Sequence, residues 1–300
     1  MNKYLFIDLM HLLYRNAYMH QDLMYKDQPV GAMYGVFKSL VKYKREYPLY
    51  TTIIAWDAGH TRRDKESLEG VNKGYIPGIY KGDRLRDQSE EQVLVRWQIQ
   101  QQFDFLKEGL SYINCQQIQM KGYEADDVIA CLVLRCNNTS VIMTSDKDYY
   151  QLLEPGVTVY DPIHDKLMTL KRFQEEYGLI APQQWVDACA LSGDTSDCIY
   201  GVPGIGEKTA VKLISKHKSL DKLFNYLYDQ QEKGIALPKK QQAILEYENR
   251  VRLAFSLKRM DDNIPELSSI QPKQGSFENL SEFFDRFGFT SLTNSVEKLV

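Results

Sequence analysis

The chain has 300 residues, of which 43% are hydrophobic and 26% charged. That is the make-up of a folded globular protein, long enough to bury a substantial core as one large domain or two smaller ones. No apolar run is long enough to span a membrane, and five cysteines without a C-x-x-C pair argue for reduced thiols in a cytoplasm rather than a disulfide framework. A formal net charge of −3 does not look like that of a nucleic-acid binder, but a carboxylate-rich site lowers the total and leaves room for basic patches elsewhere.

Lys3-Tyr-Leu-Phe-Ile-Asp8 enters directly as a core strand, without the zones of a signal peptide. Residues 10–20 follow as helix or loop and carry His11 and Arg15. A helix is expected from Gly35 to about Arg45, with Val36, Phe37, Leu40 and Val41 as its apolar stripe. Residues 51–56 form a second buried strand, ending at Asp57. A polar stretch, 58–92, then shows almost no apolar period and carries Arg62, Arg63, Lys65, Lys73, Lys81, Arg84 and Arg86. A loop of that length is usually functional or disordered. Helical spacing returns over 93–109 through Val93, Trp97, Phe103, Phe105 and Leu106. Residues 116–120 read as a third strand, followed by Gly122-Tyr-Glu124-Ala-Asp126-Asp127-Val128-Ile129-Ala130 at a helix start. A fourth strand, 140–144, leads to Ser145-Asp146-Lys147-Asp148 and a helix from Tyr149 to Leu153. The recurrence of strand, carboxylate and helix predicts an α/β fold with a mainly parallel central sheet flanked by helices. Beyond about 182 the chain reads as helical, with an amphipathic aromatic helix over 277–289, and we divide it into 1–181 and 182–300.

Three carboxylates in four residues repel one another, and a divalent metal is the usual cation between them. Glu124 and Asp127 are spaced to share a helical face, so Asp126 points elsewhere and the trio can serve two ions. The plainer reading is an acidic first turn favoured by the helix dipole. Asp8, Asp57 and Asp146 all follow strands, where open α/β sheets bind ligands; singly, each would be an ordinary cap. Later, Gly193-Asp194-Thr-Ser-Asp197 precedes Gly201-Val-Pro-Gly204-Ile-Gly206-Glu-Lys208-Thr209-Ala210, a Gly-rich turn opening a helix. Its free N–H groups suit a phosphate, although by itself a tight helix–helix turn is the simpler account. It is neither a P-loop nor a Rossmann fingerprint. The five histidines show no metal-ligand spacing, and Trp56, Trp97 and Trp185 are expected in the core.

Taken together, "GYEADDVIA", "TSDKDYYQLL" and "GDTSDCIYGVPGIGEKTA" resemble the 5′-nuclease or flap endonuclease superfamily. The likeness runs from Asp8 to about Phe289 and is strongest to the phage 5′-exonucleases and the 5′-nuclease domain of bacterial DNA polymerase I. No polymerase-like extension follows, which points to a free-standing phage-type nuclease. The resemblance implies a PIN-like nuclease fold and two Mg²⁺ ions, or Mn²⁺, held by carboxylates. One would lie around Asp8, Asp57, Glu124 and Asp126, the other around Asp127, Asp146, Asp148, Asp194 and Asp197. It implies that Lys81 and Arg84 contact the scissile phosphate, that Tyr80 stacks on an unpaired base, and that 62–105 form an arch over single-stranded DNA. It also implies a helix–three-turn–helix gripping duplex DNA through Gly204, Gly206, Lys208 and Thr209, with K⁺ at the turn. Cys198 and Tyr200 depart from the family's frequent Asn and Pro. The implied substrates are DNA with a 5′ flap, a nick or a single-stranded 5′ end, and RNA primers on DNA. The implied partners are a replication polymerase or a single-strand-binding protein; no membrane is involved, and the chain is expected to be a monomer in a bacterial or phage-infected cytoplasm.

Two alternatives share the fold: a PIN-like ribonuclease, disfavoured by the late Gly-rich turn, and an inactive DNA-junction binder, disfavoured because every matching acidic position is filled. A nucleotide-binding Rossmann protein would need a Gly-rich turn after the first strand, and residues 8–16 contain no glycine.

Overall fold

The computed structural model describes residues 2–59, 61–82, 88–136, 139–267, 269–271 and 273–300. Its centre is a six-stranded sheet of β1 (Lys3–Asp8), β2 (Thr51–Trp56), β3 (Cys115–Gln119), β4 (Thr139–Met143), β5 (Val157–Asp161) and β6 (Lys166–Met168). The strand order is β3-β2-β1-β4-β5-β6, parallel throughout except for the edge pair β5–β6. The chain first builds outward from β1 to β3 and then returns to place β4 on the other side of β1. That reversal opens a crevice beyond the carboxyl ends of β1 and β4.

Alternate residues of each strand serve two cores, as a pleated strand buried on both faces requires. Phe6, Ile53 and Ile142 face one side; Leu5, Ile7, Ile54, Val141 and Met143 face the other. The second core is closed by α1 (Leu9–Met19), α2 (Gly31–Glu46) and, further along the chain, an aromatic helix described below. At Gly35 a Cβ would stand 2.4 Å from Asn16 Oδ1, so only glycine lets α2 lie this close to α1.

The polar stretch is not an open loop. Residues Arg62–Asn72 form α3, begun by Thr61, whose N–H donates to Asp64 Oδ2 at 2.5 Å. A polar helix of this kind gains stability from docking rather than from an apolar stripe, and its partner comes from the C-terminal part of the chain. The next helix, α4 (Glu90–Leu110), buries Val95, Ile99, Leu106 and Leu110. The expected stripe is right in part: Leu106 is buried and Phe103 packs against the core, but Val93 is 53%, Trp97 46% and Phe105 38% exposed. Trp97 is corrected from core to surface, because α4 carries apolar residues on both faces and periodicity alone does not say which face is covered.

After β3 come α5 (Ala125–Cys136) and, beyond β4, a 3₁₀ helix over Lys147–Leu152 where a helix is expected from Tyr149 to Leu153. The part beyond β6 is mainly helical and includes α6 (Leu170–Tyr177), α7 (Gln184–Ser192), α8 (Glu207–His217), α9 (Leu220–Glu232), α10 (Lys239–Glu246), α11 (Glu248–Lys258) and α12 (Phe277–Arg286). Helices α7 to α11 continue the Phe6 core through Leu191, Ile214, Phe224, Val251 and Leu257. Helix α12 is the aromatic helix of the opposite core, where Phe284 meets Phe37 edge-on at 5.2 Å. Among the described residues no helix is long and apolar enough to cross a membrane, and all five cysteines are free.

Candidate active site

A cleft of about 910 Å³ lies at the carboxyl ends of the strands, and seven carboxylates line it: Asp8, Asp57, Glu124, Asp126, Asp146, Asp148 and Asp197. Asp8 closes β1 and caps α1, its Oδ1 accepting from His11 N–H at 3.2 Å and its Oδ2 from the Tyr149 hydroxyl at 3.1 Å. Asp57 follows β2 and accepts from the Ala125 N–H at 2.8 Å, the first amide of α5. Asp146 follows β4, accepts from the Asp148 N–H at 2.8 Å, and so turns two carboxylates into the same space. His11, read as structural, accepts from the Ser145 N–H at 3.2 Å.

The trio at the start of α5 shares one cation. The Arg63 fork meets Asp126 twice, at 3.0 and 2.9 Å, reaches Asp127 at 2.9 Å and Glu124 at 3.3 Å, and is only 2% exposed. The expectation that Asp126 points away from its neighbours is therefore corrected: one planar guanidinium is wide enough to hold all three. Asp127 is corrected with it. It is 3% exposed and also accepts from the Asp261 N–H at 2.7 Å, so it stands behind Arg63 and not with Asp146 and Asp148.

A second cation serves the second cluster. Lys258 Nζ lies 2.6 Å from Asp148 Oδ2 and 2.5 Å from Asp194 Oδ2. Asp194 is carried by a two-strand ribbon, Gly193–Asp194 against Ile199–Tyr200. Gly193 has φ +72°, and a Cβ there would stand 2.4 Å from Gly201 N, so the ribbon closes only with glycine. Asp197 lies in the turn between the ribbon's strands, and its carbonyl accepts from Lys81 N–H at 2.9 Å. Cys198 follows in the left-handed region at φ 56°, a conformation that asparagine tolerates better than cysteine.

Lys81 also lies in the left-handed region, at φ 54°, which is uncommon for a residue with a Cβ. Its ammonium is 2.6 Å from Glu124 Oε2. Tyr80 is 7% exposed, and its hydroxyl donates to the same oxygen at 3.2 Å. A ring this buried at the cleft wall offers little face to a base, and what it is seen to do is hold Glu124, in place of the expected stacking role. Arg84 lies outside the described residues.

The expected arch, 62–105, is too broad. Arg62 donates to the Ser256 and Arg259 carbonyls at 2.9 and 2.8 Å, Arg63 to Leu257 at 2.9 Å, and Arg250 to Tyr75 at 3.0 Å. These bonds fasten α3 to α11 and satisfy carbonyls that a helix end leaves unpaired. The C-terminal half of α4 belongs to the core. Residues 83–87, between Lys81 and α4, lie outside the described residues.

Electrostatics follow from burial and these pairings. Burial, reinforced by Asp57, pushes Asp8 up to about 7. Burial also raises Asp57, and it raises Asp146 with help from the charge of Asp148. Burial and the charge of Asp126 push Asp127 up to about 7. Against the same burial, Arg63 holds Asp126 below the ordinary range and Lys258 does so for Asp194.

Among the described residues no three His, Cys, Asp or Glu side chains already stand as a direct ligand set for one ion. The donor chemistry nevertheless fits hard divalent cations: it is all carboxylate, and Asp8, Asp57 and Asp146 pair with no Lys or Arg among the described residues. Raised carboxyls in a cleft are what an added cation would reverse. Arg63 and Lys258 were not singled out from sequence as site residues. Arg63 sits in a run of basic residues, and Lys258 is 110 positions from Asp148, so neither carries a local signal.

The Gly-rich turn joins the Asp194 ribbon to α8, which starts at Glu207 with Gly206 as its cap. A Cβ on Gly204 or Gly206 would meet nothing within 4 Å, so this backbone faces open space. Lys208 is exposed and Thr209 half-buried beside it.

Comparison with known proteins gives the family and the fold. The family model for the 5′-3′ exonuclease N-terminal resolvase-like domain matches residues 3–178, and that for the 5′-3′ exonuclease C-terminal SAM fold matches 180–279. The chain is 32% identical over 293 residues to the thermostable DNA polymerase I of Thermus thermophilus, covering 96% of this chain and 32% of that protein. It thus spans about a third of the length of that polymerase relative. It is 32% identical over 237 residues to the 5′-3′ exonuclease of Bacillus subtilis, covering 75% of this chain and 74% of that one. The bacteriophage T5 D15 flap endonuclease, in a pseudo-enzyme–product complex with DNA and metal ions, shares the fold at a TM-score of 0.66 and 19% identity, over 99% of this chain and 97% of that one. On these matches the chain belongs to the 5′-3′ exonuclease family, whose members are 5′-3′ exonuclease and flap endonuclease hydrolases.

Proposed function

We propose that this chain is a divalent-metal-dependent, structure-specific 5′-nuclease that hydrolyses DNA phosphodiesters at 5′ flaps, nicks and single-stranded 5′ ends. The observation that carries this reading is the convergence of seven carboxylates on one cleft at the reversal point of the sheet. Asp8, Asp57, Glu124 and Asp126 would hold one ion; Asp146, Asp148, Asp194 and Asp197 would hold the other. Mg²⁺ is the expected metal, with Mn²⁺ as a substitute. When bound, two such ions activate a water and stabilise the attacking and leaving oxygens of an in-line displacement.

The chain's own residues supply the rest. Lys81 presents an ammonium at the rim, 27% exposed and aimed at Glu124, from where it can transfer its hydrogen bonds to a phosphate oxygen. Tyr80 fixes the Glu124 carboxylate, and Arg84 is assigned the same phosphate as Lys81. The open backbone at Gly204 and Gly206, with Lys208 and Thr209, would grip a duplex phosphate through N–H groups, with K⁺ at the turn. In this reading residues 1–181 are the nuclease core and 182–300 the duplex-binding part. Removal of RNA primers and displaced strands is the expected task, beside a replication polymerase or a single-strand-binding protein, by a monomer in a bacterial or phage-infected cytoplasm.

The test is product mapping on 5′-labelled flap, nicked, blunt and single-stranded DNA, with Mg²⁺ or EDTA. Cleavage confined to substrates with a free 5′ end or flap, and abolished by EDTA, is expected. Full cleavage in excess EDTA, or binding without cleavage under any metal, would favour another role for the fold.

A further inference from the structure

The second carboxylate cluster is already bridged by a cation belonging to the chain. Lys258 Nζ stands between Asp148 and Asp194 at 2.6 and 2.5 Å, and its side chain is only 5% exposed. We infer that Lys258 is a built-in counter-ion for the second metal site, occupying the space between these carboxylates in the metal-free enzyme and giving it up when the second ion binds. The inference rests on the two-ion reading of the cleft.

The backbone around Lys258 is held firmly. Its carbonyl accepts from the Gln151 amide at 3.1 Å, the same amide donates to the Asp148 carbonyl at 2.8 Å, and Met260 N–H donates to Gln151 Oε1 at 3.0 Å. The neighbouring Leu257 carbonyl is held by Arg63 at 2.9 Å. What can move is the four-carbon stem, whose rotamers let the ammonium swing without disturbing α11. An ammonium and a divalent ion cannot both sit at bonding distance between the same two carboxylate oxygens, because their mutual repulsion in a buried cleft is strong. The contrast with Arg63 is informative. Its fork is bound to Asp126, Asp127, Glu124 and a carbonyl, so it is fixed from several sides, whereas Lys258 is a point charge on a flexible stem. Binding of the second ion is thus made weaker than the acids alone would allow. A bound phosphodiester, by adding negative charge, shifts the balance back. Lys258 acts here as a positioning residue that sets how tightly the second ion is held.

Mn²⁺ binding to the full chain, measured by calorimetry and by electron paramagnetic resonance, tests this with Lys258→Met and Lys258→Arg, folding being checked by circular dichroism. In Lys258→Met the weaker of two Mn²⁺ sites should tighten by tenfold or more, with the tighter site unchanged, and the metal-free protein should melt earlier than wild type. Lys258→Arg, which keeps the charge, should show no tightening of the weaker site. A lysine that only props up the structure would loosen both sites when removed. A second readout uses the wild type alone: the ¹⁵N ammonium spectrum of labelled lysines should show a protected Lys258 signal that is lost on saturation with Mg²⁺. Two-site binding with the same constants in Lys258→Met, or an ammonium signal that persists at saturating Mg²⁺, overturns the inference and leaves the metal reading standing. Absence of any Mn²⁺ binding to the wild type overturns both.

Discussion

Arg63 and Asp126 form a two-pronged pair, Nη1 to Oδ1 at 3.0 Å and Nη2 to Oδ2 at 2.9 Å, across 63 positions of sequence. The pair joins α3 to the first turn of α5, and the same guanidinium is tied to α11 through Leu257. Its consequence for stability can be measured. Arg63→Met leaves Glu124, Asp126 and Asp127 buried without their shared cation. Loss of one partner of a buried ion cluster costs about 3–5 kcal/mol, and urea unfolding in EDTA should show a loss of that order. Excess Mg²⁺ should restore part of it. A variant as stable as wild type in EDTA would mean that the cluster is not held by Arg63.

Lys81→Ala separates chemistry from binding. An ammonium that stabilises developing charge contributes more in the transition state than in the ground state. Single-turnover cleavage should fall by orders of magnitude, while flap affinity in Ca²⁺ changes little. A loss of affinity with normal cleavage of the bound complex would reduce Lys81 to a substrate-positioning role.

Stability of the metal-free enzyme should depend on pH in an unusual direction. An unfolded aspartate titrates near 3.9, whereas Asp8 and Asp127 in the fold are pushed up to about 7, chiefly by burial. Between those values the folded chain holds protons that the unfolded chain has released. The contribution is therefore fully present below about pH 4 and is lost as pH rises through about 7. In EDTA, unfolding free energy should drop on the order of a few kcal/mol between pH 5 and 8, and saturating Mg²⁺ should flatten the fall. A metal-free stability that climbs over this window would contradict the burial of these acids.

Lys81 stands at the rim of the cleft, and the polar stretch that carries it runs on in sequence to α4. If a single strand passes beneath that stretch, a bulky protein attached to the 5′ end before enzyme is added should suppress cleavage. The same block attached after the flap has bound in metal-free buffer should leave cleavage intact once Mg²⁺ arrives. Equal cleavage of a pre-blocked and a free flap would rule out threading.

Much of this molecule could be read from sequence because the relevant signals are local. Each of β1, β2 and β4 is a short apolar run followed closely by an acid, and that recurrence pointed to a mainly parallel sheet with a site at its carboxyl end, whereas the reversal of strand order at β1 came only from the structure. What escaped was decided by contacts distant in sequence. Arg63 looked like one more basic residue of a solvated stretch until α11 supplied the carbonyls that dock it. Lys258 sits at the end of an ordinary charged helix. Tyr80 read as a stacking platform because nothing nearby in sequence shows that its ring is covered. On α4, apolar residues occupy both faces, so only the packing of α1 and α2 selects Val95 and Ile99 over Val93 and Trp97.

The central claim is that the carboxylates beyond β4 hold catalytic metal. Its most direct test is single-turnover cleavage of a 5′-flap substrate by the Asp146→Asn, Asp148→Asn double variant at saturating Mg²⁺. Both substitutions remove charge with little change in volume and leave the Gly-rich turn untouched. The account predicts a fall in rate by orders of magnitude with duplex binding in Ca²⁺ retained; cleavage at the wild-type rate would contradict it.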